Sequence, residues 1–112
     1  MRRKLSEDDL DDLFFALSDR NRRRILKKVS TGEASVSQLA EAFSITLPGI
    51  LKHLGILEKA NLVKMEKNGR VRSCSFDPDG FDKAAEYVEE YRAFWREKFD
   101  NIEKLLLDRQ SK

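Results

Sequence analysis

Six cations fall close together in the chain: Lys52, Lys59, Lys64, Lys67, Arg70 and Arg72. Over residues 46–72 only Glu58 and Glu66 oppose them, a local balance of six minus two, or +4. The whole chain carries 22 Lys and Arg against 20 Asp and Glu, a net +2, so the remaining residues sum to −2. A basic segment beside an acidic remainder is the electrostatic footprint of a phosphate-binding surface. A solvated helix face carries the same charges with no ligand at all, so the elements that hold the cations have to decide between the two. Other chemistry is nearly excluded. Cys74 is the only cysteine and His53 the only histidine, which rules out a disulfide framework and a Cys/His zinc site within one chain. No nucleophile and base pair, glycine-rich phosphate loop or carboxylate pair stands in a recognisable motif, so the expectation is a non-enzyme with no cofactor and no metal.

A chain of 112 residues, 40% hydrophobic, makes one domain. No apolar run approaches the roughly 18 residues that span a bilayer. The start, Met1-Arg2-Arg3-Lys4-Leu5-Ser6-Glu7-Asp8-Asp9, turns acidic before a signal-peptide core forms, so a cytoplasmic protein away from membranes is expected. Leu10, Leu13, Phe14 and Leu17 recur at helical spacing over residues 7–17, with Glu7, Asp8 and Asp9 at the positive end of that helix. Asp19 caps a second helix over residues 20–30, with Ile25, Leu26 and Val29 as its apolar stripe. Ser35 and Gln38 fit a capping box, which starts a short third helix that holds Leu39, Ala40 and Phe43 and ends near Ser44. Thr46 caps a fourth helix over residues 47–60, with Pro48 in its first turn and Ile50, Leu54 and Leu57 buried. Asn61 stops it in a left-handed conformation, and two strands, 62–67 and 70–76, flank Asn68-Gly69 as an exposed hairpin. Asp77-Pro78-Asp79-Gly80 then opens a last amphipathic helix from Phe81 to about Leu107, roughly 40 Å long. Two helices joined by Ser44-Ile45-Thr46, the second followed by a two-stranded ribbon, make a mainly α fold with a small β-hairpin wing, a winged helix-turn-helix.

Several segments are familiar in this order: Ala16-Leu17-Ser18-Asp19 with Arg22-Arg23 and Ile25-Leu26, then Gln38-Leu39-Ala40-Glu41, Leu47-Pro48-Gly49-Ile50-Leu51-Lys52-His53-Leu54, Leu57-Glu58-Lys59-Ala60-Asn61-Leu62-Val63 and Gly69-Arg70-Val71-Arg72. Over about residues 13–80 the chain resembles the ArsR/SmtB family of winged helix-turn-helix repressors. The resemblance implies a homodimer that binds a double-stranded DNA operator and releases it when an effector changes the dimer. Metal-sensing members carry cysteines in the third helix or Asp, His and Glu ligands in the last one. Here the third helix is Ser37-Gln38-Leu39-Ala40-Glu41-Ala42, and residues 81–112 hold neither His nor Cys, so those metal sites do not carry over. The family often has a small polar residue where this chain has Leu51.

The candidate DNA contacts are Gln38, Thr46, Leu47, Pro48, Leu51, Lys52, His53, Lys67, Arg70 and Arg72. Spacing turns Pro48, Leu51, Lys52, Gly55 and Lys59 away from the buried stripe and toward the major groove or its edge, with Lys52 the foremost contact. Thr46 is read either as a phosphate holder or as an ordinary cap, and Leu51 either as a thymine-methyl contact or as packing. Gly55 marks close approach either to DNA or to helix two. His53, beside the buried stripe, is read first as a partly buried hydrogen-bonding residue and second as a phosphate contact. Arg70, next to Gly69, is the foremost wing contact, in reach of the minor groove or its phosphates. Gln38 is already explained by its capping box, and Arg22-Arg23-Arg24 reads as solvated or paired with acids such as Asp19. Cys74 reads as inert packing rather than as a redox sensor.

The last helix carries more apolar surface than the first four can cover. Leu10, Leu13, Phe14, Phe81, Ala84, Val88, Tyr91, Trp95, Phe99, Ile102 and Leu105 are therefore the candidate homodimer interface, which would set two recognition helices about one DNA turn apart. The expected layout is one domain over 1–112, with dimerisation helices at 1–18 and 81–112, the helix-turn-helix at 35–60 and the wing at 62–76. The function expected is a metal-independent repressor of a palindromic operator. The alternatives are a redox or small-molecule sensor of the same fold, which leaves room for an unidentified effector, and a winged helix used for protein–protein interaction.

Overall fold

The computed structural model describes residues 5–110. Its elements run α1 (Glu7–Leu17), α2 (Arg20–Ser30), β1 (Ala34–Ser35), α3 (Val36–Ala42), α4 (Leu47–Lys59), β2 (Val63–Asn68), β3 (Val71–Phe76) and α5 (Pro78–Gln110). The residues up to Asp82 form one compact unit and those from Lys83 onward a second.

In the first unit each helix begins where a short polar side chain meets its orphan N–H groups. Ser6 with Asp9, and Ser35 with Gln38, form complete capping boxes; Asp19 and Thr46 accept from the N–H of Arg22 and Gly49. The Arg22 N–H holds the Asp19 carboxyl below its ordinary range, and the positive charges of Arg22 and His53 add to that. The core is built from Leu13 and Ala16 of α1, Ile25, Leu26 and Val29 of α2, Val36 and Leu39 of α3, Ile50, Leu54 and Leu57 of α4, and Leu62, Val63 and Cys74. Leu13, expected at a dimer surface, is only 2% exposed; its side chain is spent on this core.

Arg22 departs from the solvated reading of the Arg22-Arg23-Arg24 run. It is 6% exposed, and its Nε and Nη2 donate to the carbonyls of Ala16 and Phe15 at 2.9 and 2.8 Å. Arg23 Nη1 donates to the Leu17 carbonyl at 2.9 Å, and the Arg24 guanidinium lies 5.4 Å from the Phe43 ring centroid. The last turn of α1 contains no basic residue of its own, so α2 supplies the cations that its terminal carbonyls and negative dipole end attract.

The sheet has three strands in the order β1-β3-β2, all antiparallel, where the sequence suggested a two-stranded ribbon. β1 pairs Ala34 with Cys74 and Ser35 with Ser73, and two residues are too few to show a strand period. The hairpin turn lies one residue later than expected. Asn68 pairs with Val71, which leaves Gly69 and Arg70 as the loop. Gly69 has φ 62°, the left-handed value required at the first central position of a II′ turn.

α5 also starts earlier than expected, at Pro78 rather than Phe81. The Asp77 carboxylate accepts from the Asp79 N–H at 3.0 Å, and Pro78 takes the first helical position, where it has no N–H to lose. Asn61, at φ 58°, turns the chain between α4 and β2, and its carbonyl accepts from the Gly80 N–H at 2.8 Å. A Cβ on Gly80 would sit 2.7 Å from the carbonyl oxygens of both Ala60 and Asn61. Gly80→Ala is therefore expected to destabilise the unit by about 1–3 kcal/mol through overpacking, read as a lower midpoint in urea unfolding.

In the second unit α5 continues to Gln110, and none of its described residues is buried. Val88, Tyr91, Phe94, Trp95, Phe99, Ile102, Leu105, Leu106 and Leu107 are all about half exposed or more. Neighbouring rings touch along the helix, Tyr87 with Tyr91 at 5.2 Å and Trp95 with Phe99 at 6.1 Å between centroids. No described helix is long and apolar enough to cross a membrane.

Candidate nucleic-acid interface

α4 carries its buried stripe, Ile50, Leu54 and Leu57, on one side and exposes Leu47, Pro48, Lys52, Gly55 and Lys59. Between its first turns, the start of α3 and β3 lies a cleft of about 530 Å³, lined by Ser35, Val36, Ser37, Leu47, Leu51, Arg70, Val71 and Arg72. No acidic side chain lines it, so its field is set by two guanidinium groups and two serine hydroxyls, the donors that suit a phosphodiester. A second hollow of about 270 Å³ lies on α4 and both wing strands, lined by Leu51, Leu54, Gly55, Glu58, Met65, Glu66, Lys67 and Arg72. There Glu58 and Glu66 offset Lys67 and Arg72, so this hollow suits a polyanion less well than the first.

The two hollows sort the sequence candidates. Lys52, Arg70 and Arg72 are exposed cations, with Arg72 shared by both hollows and Arg70 at the wing turn. Leu51, half-buried, lines both hollows, so it sits at the seam between α4 and the wing. Gly55 is exposed with open space where a Cβ would stand, which removes the close approach to helix two. Leu47 is 51% exposed, with Pro48 beside it. Thr46 is occupied as a cap: its Oγ1 accepts from the Gly49 N–H at 3.2 Å, and Pro48 contributes no donor, so the first turn offers a phosphate little. The Gln38 amide oxygen is likewise taken by the Ser35 N–H at 2.9 Å, which leaves its NH2 group for contact.

Two other candidates turn away from this surface. His53 is half-buried, with Nδ1 3.4 Å from Arg22 Nη1 and 3.9 Å from Asp19 Oδ2, so it joins α4 to the start of α2 and favours the structural reading. Lys59 reaches α1, where its Nζ lies 3.6 Å from Asp12 Oδ1. Ser37 and Val71 line the cleft although the sequence did not single them out. The signal for Ser37 was its place two residues after the Ser35 cap, on the exposed side of a capping box. Strand alternation sets Val71 on the face opposite Arg70 and Arg72, yet it is 56% exposed and lines the same cleft as both.

Cys74 is fully buried in the middle strand, paired with Ala34 and Met65. Burial, with Glu58 and Glu33 adding negative charge, pushes its thiol up to about 11. At pH 7 the thiolate fraction is on the order of 10⁻⁴, the setting of inert packing rather than of a redox sensor. Maleimide is expected to label the native protein at least ~100-fold more slowly than the urea-unfolded chain; equal rates would restore the sensing reading. Among the described residues, no three His, Cys, Asp or Glu side chains come together as a metal site.

The chain is similar to known proteins over the same elements. The profile of a family described as "Helix-turn-helix domain" matches residues 17–66. The transcriptional repressor SdpR of Bacillus subtilis (strain 168) is 34% identical over 61 residues, 54% of this chain and 68% of that protein. The crystal structure of the ArsR family transcriptional regulator RHA00566 is 33% identical, with a TM-score of 0.78, over 84% of this chain and 97% of that one. An ArsR-like transcriptional regulator from Rhodococcus sp. RHA1 is 30% identical, with a TM-score of 0.79, over 88% and 90%. At 33% identity over 97% of an ArsR family regulator of the same fold, the chain belongs to the ArsR family of winged helix-turn-helix transcriptional regulators.

Proposed function

We propose that this protein is a homodimeric repressor that binds a palindromic operator, with α4 in the major groove and the β2–β3 wing beside it, and that it responds to no metal. One observation supports this above the others. Arg70 and Arg72 of the wing line a cleft that no acidic side chain lines, and α4, whose Leu47 and Leu51 line the same cleft, exposes Lys52. In this arrangement α4 reads base edges while the wing arginines take phosphates or the neighbouring minor groove. The half-exposed apolar stripe of α5 supports the homodimer, and two-fold symmetry of the protein calls for a palindrome.

The test is fluorescence anisotropy against the DNA upstream of the protein's own gene, beside a scrambled duplex, at several salt concentrations. Selective binding that weakens steeply with salt is expected. Equal, weak and salt-insensitive binding to both duplexes would instead favour a winged helix that docks onto another protein.

A further inference from the structure

A hollow of about 410 Å³ opens in the first unit, lined by Leu17, Arg23, Leu26, Lys27, Ser30, Phe76 and Phe81. It lies where the end of α1, the length of α2, the end of β3 and the first turns of α5 meet, and it shares no residue with the DNA surface. Phe76 and Phe81 stack with centroids 5.4 Å apart and planes 27° from parallel, and both rings are only half-buried. Leu17 and Leu26 complete the apolar surface. The charged side chains that line the hollow, Arg23 and Lys27, are both cations. Arg23 is held in place through the bond from its Nη1 to the Leu17 carbonyl.

We propose that this hollow binds an amphipathic organic anion, an acyl or aryl monocarboxylate. Its apolar body lies on Phe76 and Phe81 and its carboxylate reaches Arg23 and Lys27. The volume is that of a small-molecule site. The wall selects an apolar body, and the charge pattern selects the head: the charged side chains that line the hollow are two cations with no acid, so a cationic head meets like charges and a carboxylate opposite ones. A carboxylate at the edge of that apolar wall gains charge-assisted hydrogen bonds from the two side chains. The occupant would touch the last residue of α1 and the start of α5, so it would bear on the helices assigned to the dimer. That consequence rests on the regulator reading; the binding itself does not.

Calorimetric titration of the full chain with decanoate and with 2-naphthoate tests the site, with neutral 2-naphthamide as control and amide NMR shifts as the map. Saturable binding of at least one carboxylate, one per chain, is expected, with naphthamide roughly tenfold weaker or worse and shifts centred on Leu17, Leu26 and Phe81. Lys27→Gln should weaken the carboxylate by about three- to tenfold at an unchanged melting temperature, and Arg23→Gln by at least as much. The proposal is overturned by no saturable binding, by equal affinity for the amide, by indifference to both variants, or by shifts confined to α5 beyond Lys83. It is also overturned if Lys27→Gln shifts the self-association constant and no carboxylate binds, since a second copy then covers the hollow. Operator titrations on the same samples separate the two readings: intact DNA binding without carboxylate binding removes only this site.

Discussion

Replacing Lys52 and Arg70 together by alanine is expected to lower operator affinity by about 10²–10³-fold near physiological salt, and, with two cations lost from each protomer of the dimer, to cut the slope of log K against log salt by up to about four. Lys52 is exposed on α4, and Arg70 is exposed at the second position of the wing turn, so neither substitution opens the core. The thermal melt should therefore coincide with that of the parent, which separates lost contact from lost fold. Two control variants sharpen the prediction. Lys59→Ala should change affinity by less than about threefold, because Lys59 is engaged with Asp12 on α1. Lys67→Ala should also act weakly, because Glu58 and Glu66 line the same hollow. If the lysine controls cost as much as the Lys52/Arg70 pair, the protein is held by diffuse charge and the cleft has no special part. An unchanged salt slope in the double variant would remove these two residues from the phosphate contacts altogether.

What could be read in the sequence was set by distance along the chain. Ser35 with Gln38, Asp19, Thr46 and Asn61 act within three residues of themselves, so their roles followed from residue type and spacing alone. The buried stripes of α2 and α4 were legible for the same reason, since helical periodicity is local. The features that escaped depend on partners far along the chain. Arg22 is buried because α1 ends five residues earlier with its carbonyls unmet, and nothing in the triplet Arg22-Arg23-Arg24 says which arginine will meet them. His53 was read first as a partly buried hydrogen-bonding residue, as it is, but its partner Arg22 stands 31 residues away and could not be named. The turn register moved by one because Asn68-Gly69 and Gly69-Arg70 both offer glycine to a tight loop, and pairing along the whole of β3 chose between them. The cleft itself needs β1, which holds Ser35 against β3 and is too short to announce itself.

Charge inserted into the apolar stripe of α5 should have a larger effect still. Trp95→Glu with Ile102→Glu is expected to raise the dimer dissociation constant by at least ~10³-fold, about 4 kcal/mol, because each buried carboxylate would lack a partner. Trp95 and Ile102 are 54% and 52% exposed, seven residues apart on one side of the helix, with Tyr91 and Leu105 flanking them at 53% and 64%. From Lys83 onward no described residue of α5 is buried, and most helical stability in proteins comes from packing an apolar face. In the proposed homodimer a second α5 would supply that packing, with Leu10 and with Phe14, itself 45% exposed, as further candidates for the same surface. Sedimentation velocity should show the parent as a dimer at micromolar concentration and the variant at half its mass. Operator affinity should then fall by a further ~10²–10⁴-fold, the advantage lost when two half-sites are no longer bound as one. Binding to an isolated half-site duplex should stay within about twofold, because Lys52, Arg70 and Arg72 lie in the first unit, apart from the substituted positions in the second. A parent that sediments as a monomer, or a variant that loses half-site binding as well, would defeat the assignment of α5 as the surface that pairs two reading heads.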